Sequence, residues 1–312
     1  MLPFSIPPYV KASKRSIENS YIIGAIGLKR DSVSGVLIDE KIALEQIHTT
    51  YFLMLIPLSD SIKIDYEDAL FYADCFAYEH EIPVIAYPKR CGKYTNFILD
   101  GNYKKDISRK IYFDELTVSL ESIVSLRLGP LGCVEFRYDT LNNFSPLDPA
   151  VNLNYSRKYF NVRKELHLYS FALRQVDPLS EFLCYYRVIE SATNSDGEKW
   201  LSENLGRLES EKFGFLPAGV GDGYVHKRRI NLFTVLRRRA LARIRSLKKS
   251  EKSNKSIAKK LYRESRCGIA HGKKIRRADF GIEFEDIYLD CFIIKLMARI
   301  AIECKRNHEN CE

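Results

Sequence analysis

The chain has no apolar run long enough to cross a bilayer. Spanning takes about 20 consecutive apolar residues, and the longest candidate, Tyr51–Leu58, has the length of a strand. No membrane partner is expected. The opening residues MLPFSIPP carry neither a basic nor an apolar region, so no secretory leader is expected. No C-x2-C pair occurs among the cysteines at 75, 91, 133, 184, 267, 291, 304 and 311, which argues against a zinc ribbon. The histidines at 48, 80, 167, 226 and 308 show no ligand spacing, and neither a metal nor another cofactor is expected. Several cysteines fall on apolar faces, where a reduced thiol packs as a small hydrophobe; the expected compartment is the cytoplasm. No glycine-rich phosphate loop follows any strand-like run. Pro217–Gly223 contains three glycines but lacks the Gly-Lys-Ser/Thr ending, so a nucleotide-binding fold has no support.

Acidic residues are scarce in one region only. Residues 1–150 hold 16 Lys/Arg against 20 Asp/Glu, and residues 151–312 hold 33 against 20. Within His226–Arg277 there are 20 basic residues and only two acidic ones, Glu251 and Glu264. A block of one sign repels itself unless an anion lies nearby. Nucleic acid is the favoured anion. A solvated helix face with a flexible Lys/Ser loop over Leu247–Ser256 is the plainer alternative.

The periodicity changes along the chain. Tyr21–Leu28, Gly35–Ile38, Tyr51–Leu58, Val84–Tyr87, Ile111–Phe113 and Val134–Tyr138 are β-branched and aromatic runs that read as strands. Tyr66–His80 has helical spacing, so Tyr51–Tyr87 could form one strand–helix–strand crossover. A Pro/Asn-rich stretch, Asp139–Asn154, reads as a linker. Beyond it the pattern is helical. Asp177-Pro178 signals a helix start, followed by an apolar stripe of Leu179, Phe182, Leu183, Tyr186 and Ile189. Trp200, Leu201, Leu205 and Leu208 mark the next helix, Ile230–Ile244 a basic amphipathic one, and Ile282–Cys304 a long apolar one. Ser256 can cap the segment that ends near His271. The expected fold is α+β: a mixed, β-rich domain over 1–150, then an all-α bundle of five or six helices over 151–312.

The chemistry concentrates in Arg266-Cys267-Gly268-Ile269-Ala270-His271-Gly272. Arginine is a permanent phosphate clamp, and histidine exchanges protons near neutral pH. Together they form a minimal kit for cleaving RNA without a metal. In this reading the histidine takes the proton from a ribose 2′-OH, the oxygen attacks the adjacent phosphorus as the P–O5′ bond breaks, the arginine stabilises charge on the phosphorane, and the leaving 5′-oxygen takes up a proton. The products are a 2′,3′-cyclic phosphate and a 5′-OH. DNA lacks the nucleophile. On a continuous α-helix, positions five apart lie about 140° apart, so Gly268 and Gly272 would have to let His271 turn back. The competing reading is structural: Arg266 pairs with Glu190 or another acid, and His271 closes a helix end. Glu190 could orient Arg266 by a bidentate pair or could equally be a surface charge. Tyr185 and Tyr186 could stack on bases or fill the core. Arg263, Lys273, Lys274, Arg276 and Arg277 flank the motif as candidate RNA-binding residues.

The segment LYRESRCGIAHG, with the earlier helix FLCYYRVIE, resembles the HEPN-domain ribonucleases and is most similar to their ApeA-like branch, which includes the MauJ-like proteins. The resemblance covers roughly residues 155–308. It implies a helical domain whose two R-x4-H motifs, Arg266 and His271 of each copy, meet across a two-fold axis. Cys267 stands where many active members carry Asn, Asp or His. The two-fold pairing of motifs that the resemblance implies makes a homodimer the expected state. A homodimer is also expected because Ile282–Cys304 has more apolar positions than one buried face uses. The implied role is an RNA endonuclease in antiviral defence or toxin-like growth control, with a trigger or partner protein acting through the N-terminal domain. Two alternatives stay open: a non-catalytic HEPN-fold scaffold for RNA binding and dimerisation, and a basic regulator whose Val235–Leu247 helix lies along phosphates.

Overall fold

The structure, a computed structural model, describes residues 13–25, 36–46, 52–90, 153–175, 177–194, 196–210, 224–251, 253–266 and 282–307. The fold is α+β. One compact unit comprises Met1–Phe160 and Phe215–Arg228, and another Asn161–Gly214 and Arg229–Glu312.

The first unit is built on a five-stranded sheet of order β2-β3-β4-β1-β5. Its strands are β1 Tyr21–Ala25, β2 Val36–Asp39, β3 Ile42–Gln46, β4 Phe52–Pro57 and β5 Val84–Arg90. Every neighbouring pair is antiparallel. Both β4 and β5 run antiparallel to β1, which lies between them, so they are parallel to each other. The crossover expected from Tyr51 to Tyr87 therefore exists, split by an antiparallel strand. Strand β3 has no counterpart in the sequence reading. It follows β2 through Glu40-Lys41 alone, a two-residue connection without the Gly or Asn that marks a hairpin. The strands expected at Ile111–Phe113 and Val134–Tyr138 lie outside the described residues.

Helix α1 (Lys14–Glu18) packs on β4, and α2 (Tyr66–His80) packs on β1 and β5. The start of α2 is fixed by a reciprocal capping box. Asp65 Oδ1 accepts from the Asp68 amide at 2.8 Å, and Asp68 Oδ2 accepts from the Asp65 amide at 3.4 Å. It ends at Glu81, held in the left-handed region at φ 55°.

Helix α3 (Tyr155–Tyr159) is tied to this unit by two carboxylates. Asp39 Oδ2 accepts from Tyr72 Oη at 2.8 Å and from the Ser156 amide at 3.3 Å, and also from the Ser156 hydroxyl. Glu79 accepts from Tyr159 Oη at 2.8 Å and pairs with Lys158. Burial pushes the Tyr72 phenol well up, so it stays a donor. These ties place the division between the units after Phe160, ten residues beyond the boundary drawn from the Pro/Asn-rich stretch. Asp39→Ala removes the carboxylate that the Tyr72 hydroxyl, the Ser156 amide and the Ser156 hydroxyl share, leaving only the 3.1 Å contact between the two hydroxyls. It should lower stability by about 1–3 kcal/mol, read as an earlier denaturant midpoint; an unchanged midpoint would show the clasp to be idle.

The second unit contains α4 (Arg163–Arg174), α5 (Pro178–Thr193), α6 (Gly197–Asn204), α7 (Arg207–Ser210), α8 (Tyr224–Ser250) from Arg229 onward, α9 (Asn254–Lys259), a π-helical turn over Lys260–Arg266, and α10 (Ile282–Arg306). Helix α5 begins where Asp177-Pro178 predicts, with Asp177 Oδ1 accepting from the Ser180 amide at 2.8 Å. Helix α10 packs against α5 and α4. From Cys291 to Cys304 every residue except Lys295 is buried. The apolar surplus of α10 is thus consumed within the single chain and supplies no argument for a second copy. The same end of the unit is tied by Glu165, which accepts from Ser191 Oγ at 2.5 Å and Lys305 Nζ at 3.0 Å.

Two local expectations are corrected. Leu247–Ser256 is not a loop: α8 continues to Ser250, and α9 starts at Asn254. The buried stripe Leu236, Ala240, Ile244 and Leu247 carries the helical period past Ile244. The cap of α9 is Ser253, whose Oγ accepts from the Ser256 amide at 3.2 Å, while Ser256 occupies the third helical position.

Candidate functional site

The segment leading to Arg266 is α-helical only as far as Lys259. Lys260–Arg266 forms a π-helix, a rare geometry that recurs at functional sites. Its hydrogen-bonded partners are five apart, where an α-helix bonds residues four apart. The π-helix ends at Arg266. Cys267, His271, Lys273, Lys274, Arg276 and Arg277 lie outside the described residues. So does the side chain of Arg263, although its backbone belongs to the π-helix.

Two residue pairs of i,i+4 spacing face each other. Helix α5 contributes Tyr186 and Glu190; the π-helix contributes Tyr262 and Arg266. Arg266 Nη2 lies 3.2 Å from Glu190 Oε1 and 3.5 Å from Oε2. One nitrogen reaches both carboxylate oxygens, so this is not the two-nitrogen fork that a bidentate pair would make. The Arg266 guanidinium also lies over the Tyr262 ring, 5.6 Å from its centroid, and the Tyr262 and Tyr186 rings are 6.0 Å apart. The Arg266 and Glu190 side chains are 30% and 31% exposed. At that exposure an ion pair contributes about 0–1 kcal/mol. It orients the guanidinium without sequestering it.

Beneath this pair the site rests on buried aromatics. Tyr185 and Tyr186 are both fully buried. Tyr185 packs on Tyr169 at 5.0 Å, and Tyr186 stacks on Phe182 at 6.1 Å. Neither can serve as a base-stacking platform, because both rings are enclosed in the core. Burial pushes the Tyr186 phenol far up, and Glu190 adds to the shift. Gly197 closes against Tyr186: a Cβ there would sit 2.8 Å from Cε1 and 3.0 Å from the hydroxyl oxygen. Tyr186 has no room to yield. Gly197→Ala should cost about 1–2 kcal/mol despite its gain in helix propensity. A calorimetric midpoint at or above that of the wild type would contradict this contact.

A second layer fixes the π-helix from behind. Ser265 Oγ donates to Asp290 Oδ2 at 3.3 Å. Arg243 Nε donates to Asp290 Oδ1 at 2.7 Å, and its Nη1 lies 2.9 Å from Asp286 Oδ1. Burial pushes the Asp290 carboxyl up, against the pull of Arg243. One carboxylate therefore joins α8, α10 and the residue before Arg266. Sequence reasoning missed Tyr262, Ser265, Asp290 and Arg243. Tyr262 was visible as an aromatic one turn before Arg266; Asp290 carries no local signal, because its partners are 25 and 47 residues away.

Of the residues expected to form the site, the structure brings Arg266 and Glu190 together. Among the described residues no group of three or more His, Cys, Asp or Glu could hold a metal ion.

Residues 166–303 match the family described as methylamine utilization protein MauJ. The matched stretch runs from α4 into α10 and contains both Glu190 and Arg266. No curated protein and no solved structure is similar enough to the chain to count as a match.

Proposed function

We propose that the chain is a metal-independent RNA endonuclease of the HEPN type. The observation that carries this reading is Arg266, presented at the end of a π-helix, partly exposed, and oriented by Glu190 over the Tyr262 ring. A guanidinium held in this way is preorganised for a phosphorane. His271 is the general base in this reading, and the proton it removes is that of a ribose 2′-OH. The match over residues 166–303 falls on the half of the chain that resembles this superfamily and its MauJ-like members.

The reading extends to a cytoplasmic homodimer with a composite site, and to a trigger or partner protein acting through the first unit. No helix among the described residues is long and apolar enough to cross a membrane. Cys75, Cys184, Cys291 and Cys304 are buried and unbridged, in keeping with a reducing compartment. The dimer now rests on the composite site alone; light scattering at micromolar protein should give about twice 36.1 kDa.

A second reading has an observation in its favour. Arg266 already has a carboxylate partner, which suits a non-catalytic scaffold for RNA binding and dimerisation as well as it suits an oriented catalyst. The end-group of the product decides. Purified protein with EDTA should cut RNA and leave a 2′,3′-cyclic phosphate; protein that binds RNA and never cuts it is the scaffold.

A further inference from the structure

Helix α8 has ten Lys/Arg and no Asp/Glu over its 27 residues. The structure sorts the cations in its C-terminal part. Arg243 is spent on Asp286 and Asp290. Arg237 donates through Nε to the Leu208 carbonyl at 2.7 Å and through Nη2 to that of Glu209. Arg239 lies over the Phe292 ring, 5.4 Å from its centroid. Lys248 stands 4.0 Å from Glu209. Three are left: Arg238, Arg245 and Lys249 are exposed and have no anionic partner among the described residues.

These three form a single stripe. At about 100° per residue, positions 238, 245 and 249 fall within about 40° of one another. The buried positions Leu236, Ala240, Ile244 and Leu247 occupy the opposite face. The stripe is about 16 Å long. The side chains beside it, Ala242 and Ser246, are exposed and small, so a polyanion can approach the helix closely. A face that serves solubility alone would do so at less cost with both signs, since like charges one turn apart destabilise a helix. Among the described residues no acid offsets them.

We infer that Arg238, Arg245 and Lys249 form a phosphate-tracking surface for single-stranded RNA, separate from the Arg266 site and serving to hold the strand. The choice of RNA as occupant rests on the function proposed above; the charge complementarity rests on the stripe itself. Each contact releases condensed counterions, so each should contribute about 0.7 to the slope of log affinity against log salt.

The test measures binding of a fluorescent 2′-O-methyl RNA strand, which has no free 2′-OH and cannot be cut, over a range of salt. The variant is Arg238→Gln/Arg245→Gln/Lys249→Gln. The control is Lys164→Gln/Arg187→Gln/Lys199→Gln, which removes three exposed cations from elsewhere in the second unit. The stripe variant should lose about two units of slope and on the order of 10²-fold in affinity at about 50 mM salt, while the control keeps the slope. Equal losses in both variants, an unchanged slope in the stripe variant, or no RNA binding by the wild-type chain overturns the inference. Binding through the stripe by a protein that cuts no RNA supports it and sinks the nuclease reading instead.

Discussion

Arg266→Ala and His271→Ala should each lower RNA cleavage by about 10²-fold or more, the usual loss for an oxyanion-type stabiliser or a general base. The two losses should not add, because each residue acts on the same transition state. Folding should survive Arg266→Ala: its side chain is 30% exposed, and its pair with Glu190 is a partly solvated one. The melting temperature therefore separates a lost catalyst from a lost fold. Glu190→Gln keeps a hydrogen-bond acceptor beside Arg266 while removing the charge. It should cost less than Arg266→Ala, because it loosens the orientation of the guanidinium and leaves the guanidinium in place. A Glu190→Gln enzyme as impaired as Arg266→Ala would make the pair itself, and not the arginine alone, the working unit.

Asp290→Ala should be strongly destabilising to the second unit. It removes the acceptor of both Arg243 and Ser265. The Arg243 side chain is only 9% exposed and keeps Asp286, itself half exposed, as its remaining partner. Breaking a buried pair from one side costs about 3–5 kcal/mol. Asp290→Asn should cost much less. Burial already disfavours the ionised carboxyl, and the amide oxygen can still accept a hydrogen bond. Equilibrium unfolding in urea resolves the two. If Ala and Asn cost the same, the charge and not the hydrogen bonding holds the network. Because Ser265 precedes Arg266, Asp290→Asn should also leave cleavage nearer wild type than Asp290→Ala does.

Where the sequence was read correctly, the signal was local. Asp177-Pro178 starts α5 as a capping residue and a first-turn proline must. The Tyr66–His80 helix has its period and its Asp65 cap within one stretch. The proximity of Glu190 to Arg266 was open from the residues as one of two outcomes, since an acid near the end of an apolar-striped helix could face either way. The π-helix was not legible. Its seven residues have ordinary helical composition, and nothing in them marks i→i+5 bonding. Strand β3 was hidden by a turn without turn residues. The apolar excess of α10 was legible, but its meaning was not: an all-apolar helix is equally the centre of one bundle or half of an interface, and packing decides.

The central claim is that the nucleophile is the ribose 2′-OH and that no metal takes part. One substrate pair tests it most directly: an RNA cut at a mapped position by the purified protein in EDTA, and the same strand with a single 2′-deoxy nucleotide at that position. The account predicts cleavage of the first to a 2′,3′-cyclic phosphate and resistance of the second at the substituted position. Equal cleavage of both, or cleavage of the first only when Mg²⁺ is restored, would contradict it.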